Sequence, residues 1–537
     1  MTIVPSLPSN EPKQEVLDDL FRLQNLGHHK SVLPLIQQML RMHPNSFSVH
    51  YALGNSQHAL RLYDLAISNY KKAIEIKPDL AEAYNNLGNC FGESGKLDEA
   101  IDSFKQAIAI QPRYAEACFN MGRYLNSEEA IDSYKKAIEF KPDFAGAYVN
   151  LGNLLRIRGE LKNAIDSFKK AIDIKPDFVE AYTNMGIALQ DNGELDPAID
   201  SYKQAIKICP DYPPAHLNLS YAFLNAGNVE EGVKEFEWRL RTPDFKAEER
   251  HFLQPMWDGI EDLNNKTMLL WSEQGPGDVV MWSSCISHLS SRTVHCILEC
   301  QEKLVPLLAR SFPSVEVKVT NSSLDEQRTD FDLHLPMGSL FRHFIPEISK
   351  KKQPDAFLIP NPVRVDYWIE RLNSLGSGPY IGISWKSPRV TPHRLQNYTQ
   401  ISNWAPIFAL PNVTLVSLQS SDFGNDSALI EELSAIEDEF GITVHYFNEL
   451  DYWGDLDDVS ALCAALDIVV SVSTAVSTLA AGVGTPTKML HWRQSAWNNI
   501  LFTPPGASVD VFERNTWEPW DDVFHSVAKD IADFQVA

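Results

Sequence analysis

Six prolines set the frame for the first half of the chain. Pro44, Pro78, Pro112, Pro142, Pro176 and Pro210 follow one another at intervals of 34, 34, 30, 34 and 34 residues. Between them the same residue types return at the same offsets. One unit carries Tyr84, Leu87-Gly88, Phe91, Ala100 and Phe104, and a later one carries Tyr148, Leu151-Gly152, Leu155, Ala164 and Phe168. This is the tetratricopeptide pattern: two antiparallel helices per unit, small residues where they cross, and a proline that stops the second helix. No unit buries its apolar face alone, so an elongated α-solenoid is predicted over residues 13–243. Residues 1–12, rich in Pro and Ser, read as a disordered lead-in. Glu11 to Pro44 reads as a degenerate terminal unit, and Gly232 with Phe236 marks a weakened last one.

Two details go beyond the repeat itself. The unit from Pro112 to Pro142 lacks four residues, about one helical turn, which predicts a clipped helix hairpin. Asn86, Asn120, Asn150, Asn184 and Asn218 each precede the Leu-Gly or Met-Gly pair of their unit, or Leu-Ser in the last one. That column falls on the first helix of each unit, the one expected to line the inner surface. Asparagine is a poor helix former, so propensity does not explain it. Its amide both donates and accepts, which suits the backbone of an extended peptide regardless of sequence. Two readings stay open: an acceptor-binding ladder for a protein or peptide partner, or amides that satisfy neighbouring loops.

After the repeats the pattern changes. Strand-like runs alternate with helical ones at Thr267–Trp271, Val294–Leu298, Val315–Val319 and Phe331–Leu335. A second series follows at Tyr380–Trp385, Val413–Leu418, Ile442–Tyr446, Ile468–Val472 and Lys488–His491. Such alternation predicts parallel sheets with crossover helices. A Pro-rich stretch at 353–362 and Gly376-Ser377-Gly378 divide the series into two Rossmann-like lobes facing a cleft: 244–375, which includes the junction, and 376–537. Trp492, Trp497, Trp517 and Trp520 are expected to pack a C-terminal helix that crosses between the lobes.

The loop Glu273-Gln274-Gly275-Pro276-Gly277-Asp278 joins the first strand to a helix expected over Val279–Leu289. A turn on Gly-x-Gly gathers bare amides at a helix's positive end, where open α/β sheets bind ligands. Gly275 and Gly277 are therefore candidate donor-binding positions. Asp278 reads as a functional acid or as an ordinary helix cap. The loop is not Gly-x-Gly-x-x-Gly, and the chain has no Gly-x-x-x-x-Gly-Lys-Ser/Thr, which weighs against dinucleotide and P-loop nucleotide binding.

Composition narrows the classes further. Lys and Arg number 47 against 71 Asp and Glu, a net charge of −24, which argues against a nucleic-acid partner. The seven cysteines form no Cys-x-x-Cys pair, so a reduced, cytoplasmic setting is expected. Neither a signal peptide nor a membrane-spanning run is visible. No metal-ligand cluster, Ser/His/Asp arrangement or hydrolase-type carboxylate pair stands out, and no cofactor is expected.

Taken in order, the junction around Phe236-Glu237-Trp238-Arg239-Leu240, the Glu-Gln-Gly-x-Gly-Asp loop, Gly382-Ile383-Ser384-Trp385-Lys386, Val416-Ser417-Leu418-Gln419 and the run Leu466–Pro486 resemble a known architecture. It is that of bacterial tetratricopeptide-linked glycosyltransferases whose catalytic part is similar to the heptosyltransferases, and it is also similar to protein O-GlcNAc transferases. The resemblance implies a GT-B fold, a nucleotide-sugar substrate and no metal. It implies Asp278 as catalytic base, Lys386 on the donor's phosphates, and the turn Ser473-Thr474-Ala475 on its diphosphate. Physical chemistry agrees: a diphosphate leaving group suits a helix N-terminus, two hydroxyls and a lysine charge. Arg389 and Arg394 follow in a loop within reach of the phosphates. The chain departs from the family by having Ser473-Thr474 and Thr478-Leu479-Ala480-Ala481-Gly482 where Asp-Thr and His-Leu-Ala-Gly-Ala are common. The function expected is sugar transfer to a hydroxyl of a protein acceptor held by the repeats. The rivals are a non-catalytic scaffold with a degenerate transferase domain, and a heptosyltransferase-like enzyme acting on a glycan.

Overall fold

The computed structural model describes residues 10–536 apart from 244, 246–249, 294, 322–326, 349–355, 387–398, 421–426, 492–508 and 515–517. The chain forms two compact units, Met1–Asn192 and Gly193–Ala537.

Fourteen helices run from Gln14 to Phe236, and within each compact unit consecutive helices pack against one another. The second helices of six pairs end at Met42, Ile76, Ile110, Phe140, Ile174 and Ile208, each two residues before a proline of the repeat. Proline cannot continue a helix, so its spacing sets the period. Within most units the hairpin turns on a glycine in the left-handed region, at Gly95 (φ 81°), Gly159 (φ 80°) and Gly193 (φ 81°). The short unit lacks that glycine. Its first helix, Ala115–Gly122, has 8 residues where Ala81–Glu93 and Ala145–Ile157 have 13. Asn126 makes the turn instead, its side chain accepting from the Glu128 and Glu129 amides at 3.2 and 3.1 Å. The clipped hairpin is as the spacing predicts.

The conserved-looking offsets are close packing. A Cβ on Gly54, Gly88, Gly122 or Gly152 would lie 2.7 to 2.8 Å from the ring of Tyr70, Phe104, Tyr134 or Phe168 on the second helix of the same unit. Only a bare Cα lets these rings cross at that distance. Gly152→Ala is therefore expected to destabilise by about 1–3 kcal/mol through overpacking, although Ala is the better helix former by about 1 kcal/mol. Gly146 on the same helix has nothing nearer than 3.7 Å. Gly146→Ala should hold or raise the melting temperature, so opposite shifts for the two variants are the expected result.

The α/β part of the second unit contains two all-parallel sheets. β1 (Thr267–Trp271), β2 (His295–Cys300), β3 (Val315–Val319) and β4 (Leu333–Pro336) lie in the order β3-β2-β1-β4. β5 (Tyr380–Ser384), β6 (Thr414–Ser417), β7 (Val444–His445), β8 (Ile468–Val472), β9 (Thr487–His491) and β10 (Val509–Glu513) lie in the order β10-β9-β8-β5-β6-β7. In both sheets the chain starts in the middle, builds outward on one side, then crosses to the other. The crossing points are β1/β4 and β5/β8, where ligands of open α/β sheets bind beyond the carboxyl ends.

One continuous apolar core joins the sheets. It holds Val279, Val280 and Trp282 from the first, Leu418, Leu466 and Leu479 from the second, and Leu224 and Val233 from the last repeat pair. A second core on the other face of the larger sheet takes Ile381, Ile383, Trp404 and Phe524. β5 is thus buried on both faces, with Gly382 between its two isoleucines: a Cβ there would lie 2.6 Å from Leu418 and 2.7 Å from Leu466.

Two expectations need correcting. Val279–Leu289 is not one helix but two, Pro276–Ser283 and Ile286–Ser290. Ser283 and Ser284 donate to the Val280 and Met281 carbonyls at 2.6 and 2.8 Å, local bonds that compete with the helix ladder. The C-terminal helix Asp521–Val536 packs through Phe524, Val527 and Ile531 in the second core rather than between the sheets. Of the four tryptophans assigned to it, Trp520 joins that core, and Trp492, Trp497 and Trp517 lie outside the described residues.

Candidate functional site

At the smaller sheet's crossing point the chain leaves β1 through Glu273 and Gln274, the latter in the left-handed region (φ 64°). The backbone then enters the helix Pro276–Ser283, and Asp278 occupies its first turn. Asp278 is half-buried, and its Oδ2 accepts the Gly275 amide at 3.2 Å. The acid therefore caps its own helix. Capping holds this carboxylate at the helix's positive end.

Behind this loop lies a buried ion network that the sequence alone does not reveal. Arg239, in the 3-10 turn Glu237–Arg241 after the last repeat, donates through Nη2 to Glu273 Oε1 at 2.7 Å and to Ser339 Oγ at 2.9 Å. Its Nη1 donates to Glu237 Oε1 at 2.6 Å. The Gly338 amide, just past β4, donates to Glu273 Oε1 at 3.0 Å. Arg239 and Glu273 are both buried. Burial works against the guanidinium charge, and the two carboxylates more than offset it, so the Arg239 pKa stands above its usual value. Glu273 thus ties β1 to β4 across the crossing point, and Arg239 ties that point to the end of the repeats. Both residues sit inside segments read from the sequence as junction and loop. Their 34-residue separation gives no local signal of pairing.

The larger sheet's crossing point is built on Gln419. Its Oε1 accepts the Trp385 and Lys386 amides at 3.1 and 3.0 Å, and its Nε2 donates to the Lys386 carbonyl at 2.9 Å. Across from it, β8 is followed by Ser473 and Thr474, and the helix Ala475–Val483 begins. Thr474 is the N-cap: its amide donates to Ser477 Oγ at 3.1 Å, and its hydroxyl lies 3.3 Å from Ser471 Oγ. Lys386 and the Ser473-Thr474-Ala475 turn therefore flank one point, β5 against β8. Lys386 is not an isolated charge: its Nζ pairs with Glu432, which also accepts from Trp385 Nε1 at 3.1 Å. Arg389 and Arg394 lie outside the described residues.

The two crossing points meet. A Cβ on Gly277 would lie 3.1 Å from Ala475 Cα, so the two loops approach to backbone contact, and glycine is what permits it. The N-termini of Pro276–Ser283 and Ala475–Val483 converge there. Asp278 stands on one side and the Ser473–Ala475 turn on the other.

The asparagine column has partners inside the array. Asn86 Nδ2 donates to Tyr51 Oη and Asn55 Oδ1 of the preceding unit, both at 3.1 Å, and its Oδ1 accepts from Asn85 at 3.2 Å. Asn120 donates to Asn85 at 3.0 Å and Asn150 to Tyr134 Oη at 3.4 Å. Asn218 donates to the Pro214 carbonyl one turn earlier at 2.7 Å. Asn184 is half-buried on the helix Val179–Asp191. At Asn86 and Asn120 the amide links neighbouring units.

Asp455, Asp458 and Asp467 serve structure. Asp455 caps the helix Leu456–Ala465, Asp458 receives Arg364 at 2.7 and 2.6 Å, and Asp467 accepts the Tyr380 amide at 2.7 Å. Burial pushes the Cys285, Cys296, Cys300 and Cys463 thiols up to about 12, which keeps them protonated and poor nucleophiles. Among the described residues no group of His, Cys, Asp and Glu is arranged to hold a metal ion, and no helix is long and apolar enough to cross a membrane.

Comparison with known proteins places tetratricopeptide repeats plainly in the first part of the chain. Models described as tetratricopeptide repeat and TPR repeat match residues 45–113, 126–156, 152–193 and 189–227. The chain is 30% identical over 320 residues to Protein FlbA of Caulobacter vibrioides, covering 57% of this chain and 52% of that protein. It thus spans about half the length of this curated relative. Among solved structures, MamA is 31% identical over 29% of this chain and 94% of its own (TM-score 0.28). YrrB, described as a TPR protein with an unusual peptide-binding site, is 21% identical over 34% of this chain and 95% of its own (TM-score 0.29).

Proposed function

We propose that the chain is a glycosyltransferase of GT-B type that moves a sugar from a nucleotide-sugar to a hydroxyl of a protein acceptor bound by its repeats. The observation that carries this reading is the convergence of the two crossing points at Gly277 and Ala475. It brings an acid, Asp278, to the mouth of one sheet, and a hydroxyl-lined helix N-terminus with a lysine to the mouth of the other. In the transfer, the acceptor oxygen attacks the anomeric carbon and its proton passes to the Asp278 carboxylate. The bond from that carbon to the phosphate oxygen breaks, and the electron pair leaves with the nucleoside diphosphate. In this reading the first amides of Ala475–Val483, the Thr474 hydroxyl and Lys386 stabilise the charge that develops. The repeats supply the acceptor, in keeping with their use as protein-binding modules.

Binding of nucleoside diphosphates tests the donor half. Thermal shift with a panel of them should show stabilisation by at least one base type, about 2.7 kcal/mol at a hundredfold excess over Kd, and less by the matching nucleoside. Lys386→Ala should weaken the diphosphate more than the nucleoside, and Glu432→Gln should strengthen it, because the carboxylate that competes for the lysine is gone. Equal effects of Lys386→Ala on both ligands contradict the assignment.

A second reading, a non-catalytic scaffold, is favoured by one feature: Lys386 is already neutralised by Glu432. It predicts no stabilisation by any diphosphate in the panel.

A further inference from the structure

Gln419 closes the motif Val416-Ser417-Leu418-Gln419, just beyond β6, and its side chain is buried. The β5–β6 ladder ends beside it, with the Leu418 amide donating to the Ile383 carbonyl at 2.9 Å. Past that bond the Gln419 side chain takes the place of a strand. Its Oε1 accepts the Trp385 and Lys386 amides at 3.1 and 3.0 Å, and the Ser384 hydroxyl at 3.4 Å. Its Nε2 donates to the Lys386 and Ser420 carbonyls at 2.9 and 3.1 Å. All of these partners but the serine hydroxyl are backbone groups of one fixed kind, so the amide can face only one way. Both of its donor hydrogens and both lone pairs are spent on the chain, which leaves nothing to offer a ligand.

These bonds impose a particular backbone. In an extended strand, successive amides and successive side chains point to opposite sides. Here two successive amides meet one oxygen, the concave arrangement of N–H groups that suits an anion, and the Gln419 carbonyl fills it. The side chains of the same two residues also meet one group. Trp385 Nε1 donates to Glu432 Oε2 at 3.1 Å, and Lys386 Nζ pairs with Glu432 Oε1. Trp385 is buried in the second core, so the turn is anchored by its indole as well as by Gln419. Of Ser384, Trp385 and Lys386, only Lys386 keeps its side chain partly in solvent.

We propose that Gln419 is a positioning residue for the donor: it holds the backbone of Trp385 and Lys386 in the conformation from which the Lys386 ammonium reaches the diphosphate of a nucleotide-sugar, and it touches no ligand itself. An amide is required because two N–H groups and two carbonyls have to be satisfied at once. Glutamate keeps the size but turns an acceptor toward both carbonyls, and methionine satisfies neither pair. The inference rests on the glycosyltransferase reading of Lys386 and adds the residue that aims it.

The test is a double-mutant cycle in the full chain, titrated with the nucleoside diphosphate that stabilises wild type most and with the matching nucleoside. Gln419→Glu should weaken the diphosphate about tenfold, one charge-assisted contact, and leave the nucleoside within about twofold. The same change in a Lys386→Ala chain should alter neither ligand by more than about twofold, because the lysine that the amide aims is gone. Gln419→Met adds no charge and should follow the same pattern, which separates aim from repulsion between a new carboxylate and the phosphates. A diphosphate loss of equal size with and without Lys386 overturns the proposal, since Gln419 then acts through charge or general stability. Equal losses of diphosphate and nucleoside overturn it too, as do Gln419→Glu and Gln419→Met chains that both fail to fold. No diphosphate binding by wild type overturns the underlying reading and this inference with it. Diphosphate binding that needs Lys386 but is unchanged by both Gln419 variants overturns the inference alone.

Discussion

Asp278→Asn should reduce sugar transfer by about 10²–10⁴-fold while nucleoside diphosphate binding stays within about twofold of wild type. The magnitude is that of a general base removed from its reaction. Asparagine keeps the cap, because its carbonyl oxygen accepts the Gly275 amide as the carboxylate does at 3.2 Å. The helix Pro276–Ser283 and its contact with Ala475 are therefore preserved, and the donor side, on the other sheet, is untouched. What is lost is the charge that receives the acceptor's proton. Steady-state rates and diphosphate titrations on the same preparation check it. Unchanged turnover in a folded variant leaves Asp278 with capping as its whole role.

Arg239→Ala should destabilise the second unit by about 3–5 kcal/mol, the cost of leaving a buried carboxylate without its partner. The guanidinium serves Glu273, Glu237 and Ser339 at once, and its loss leaves the fully buried Glu273 carboxylate without its counter-charge. Arg239→Lys keeps one charge but cannot fork to both carboxylates, and should fall between wild type and Ala. Denaturant unfolding followed by tryptophan fluorescence reads the effect, since Trp271 and Trp282 are buried in the same unit. A loss below about 1 kcal/mol for Arg239→Ala contradicts the account of Arg239 as the tie between repeats and loop.

Where the fold is written in periodic signals, the sequence reading and the structure agree. The prolines end helices because they cannot extend them. Three strands, Thr267–Trp271, Val315–Val319 and Ile468–Val472, begin and end where the apolar runs do. Signals shorter than a period fail. Val509–Glu513 is a strand with alternating Asp and Val that no apolar run announces, and it was not expected; its partner β9 holds it at the sheet edge. The break after Ser283 comes from two serine side chains whose choice of acceptor depends on the packed helix.

The candidate site divides in the same way. Its strand-to-helix turns carry local chemistry, Gly-x-Gly-Asp and Ser-Thr-Ala, and the crossing points of the two sheets bring those turns to one place. Arg239, Glu273, Gln419 and Glu432 enter through partners distant in sequence, 34 positions for Arg239–Glu273, 33 for Lys386–Gln419 and 46 for Lys386–Glu432. The asparagine column shows the converse. It is regular in sequence, yet at Asn86 both donor hydrogens and the carbonyl oxygen are engaged inside the array. Regularity there reports contact between units as well as any surface offered to a partner.

The most direct measurement is the transfer itself. The intact chain is incubated with a panel of radiolabelled nucleotide-sugars and a cell extract made from a strain lacking it, and label is followed into protein, with the modified residue located by mass spectrometry. The account predicts label on Ser or Thr of discrete proteins, from one donor of the panel, and its loss with Asp278→Asn. Label that appears at the same rate with Asp278→Asn, or no label from any donor that the chain binds, contradicts it.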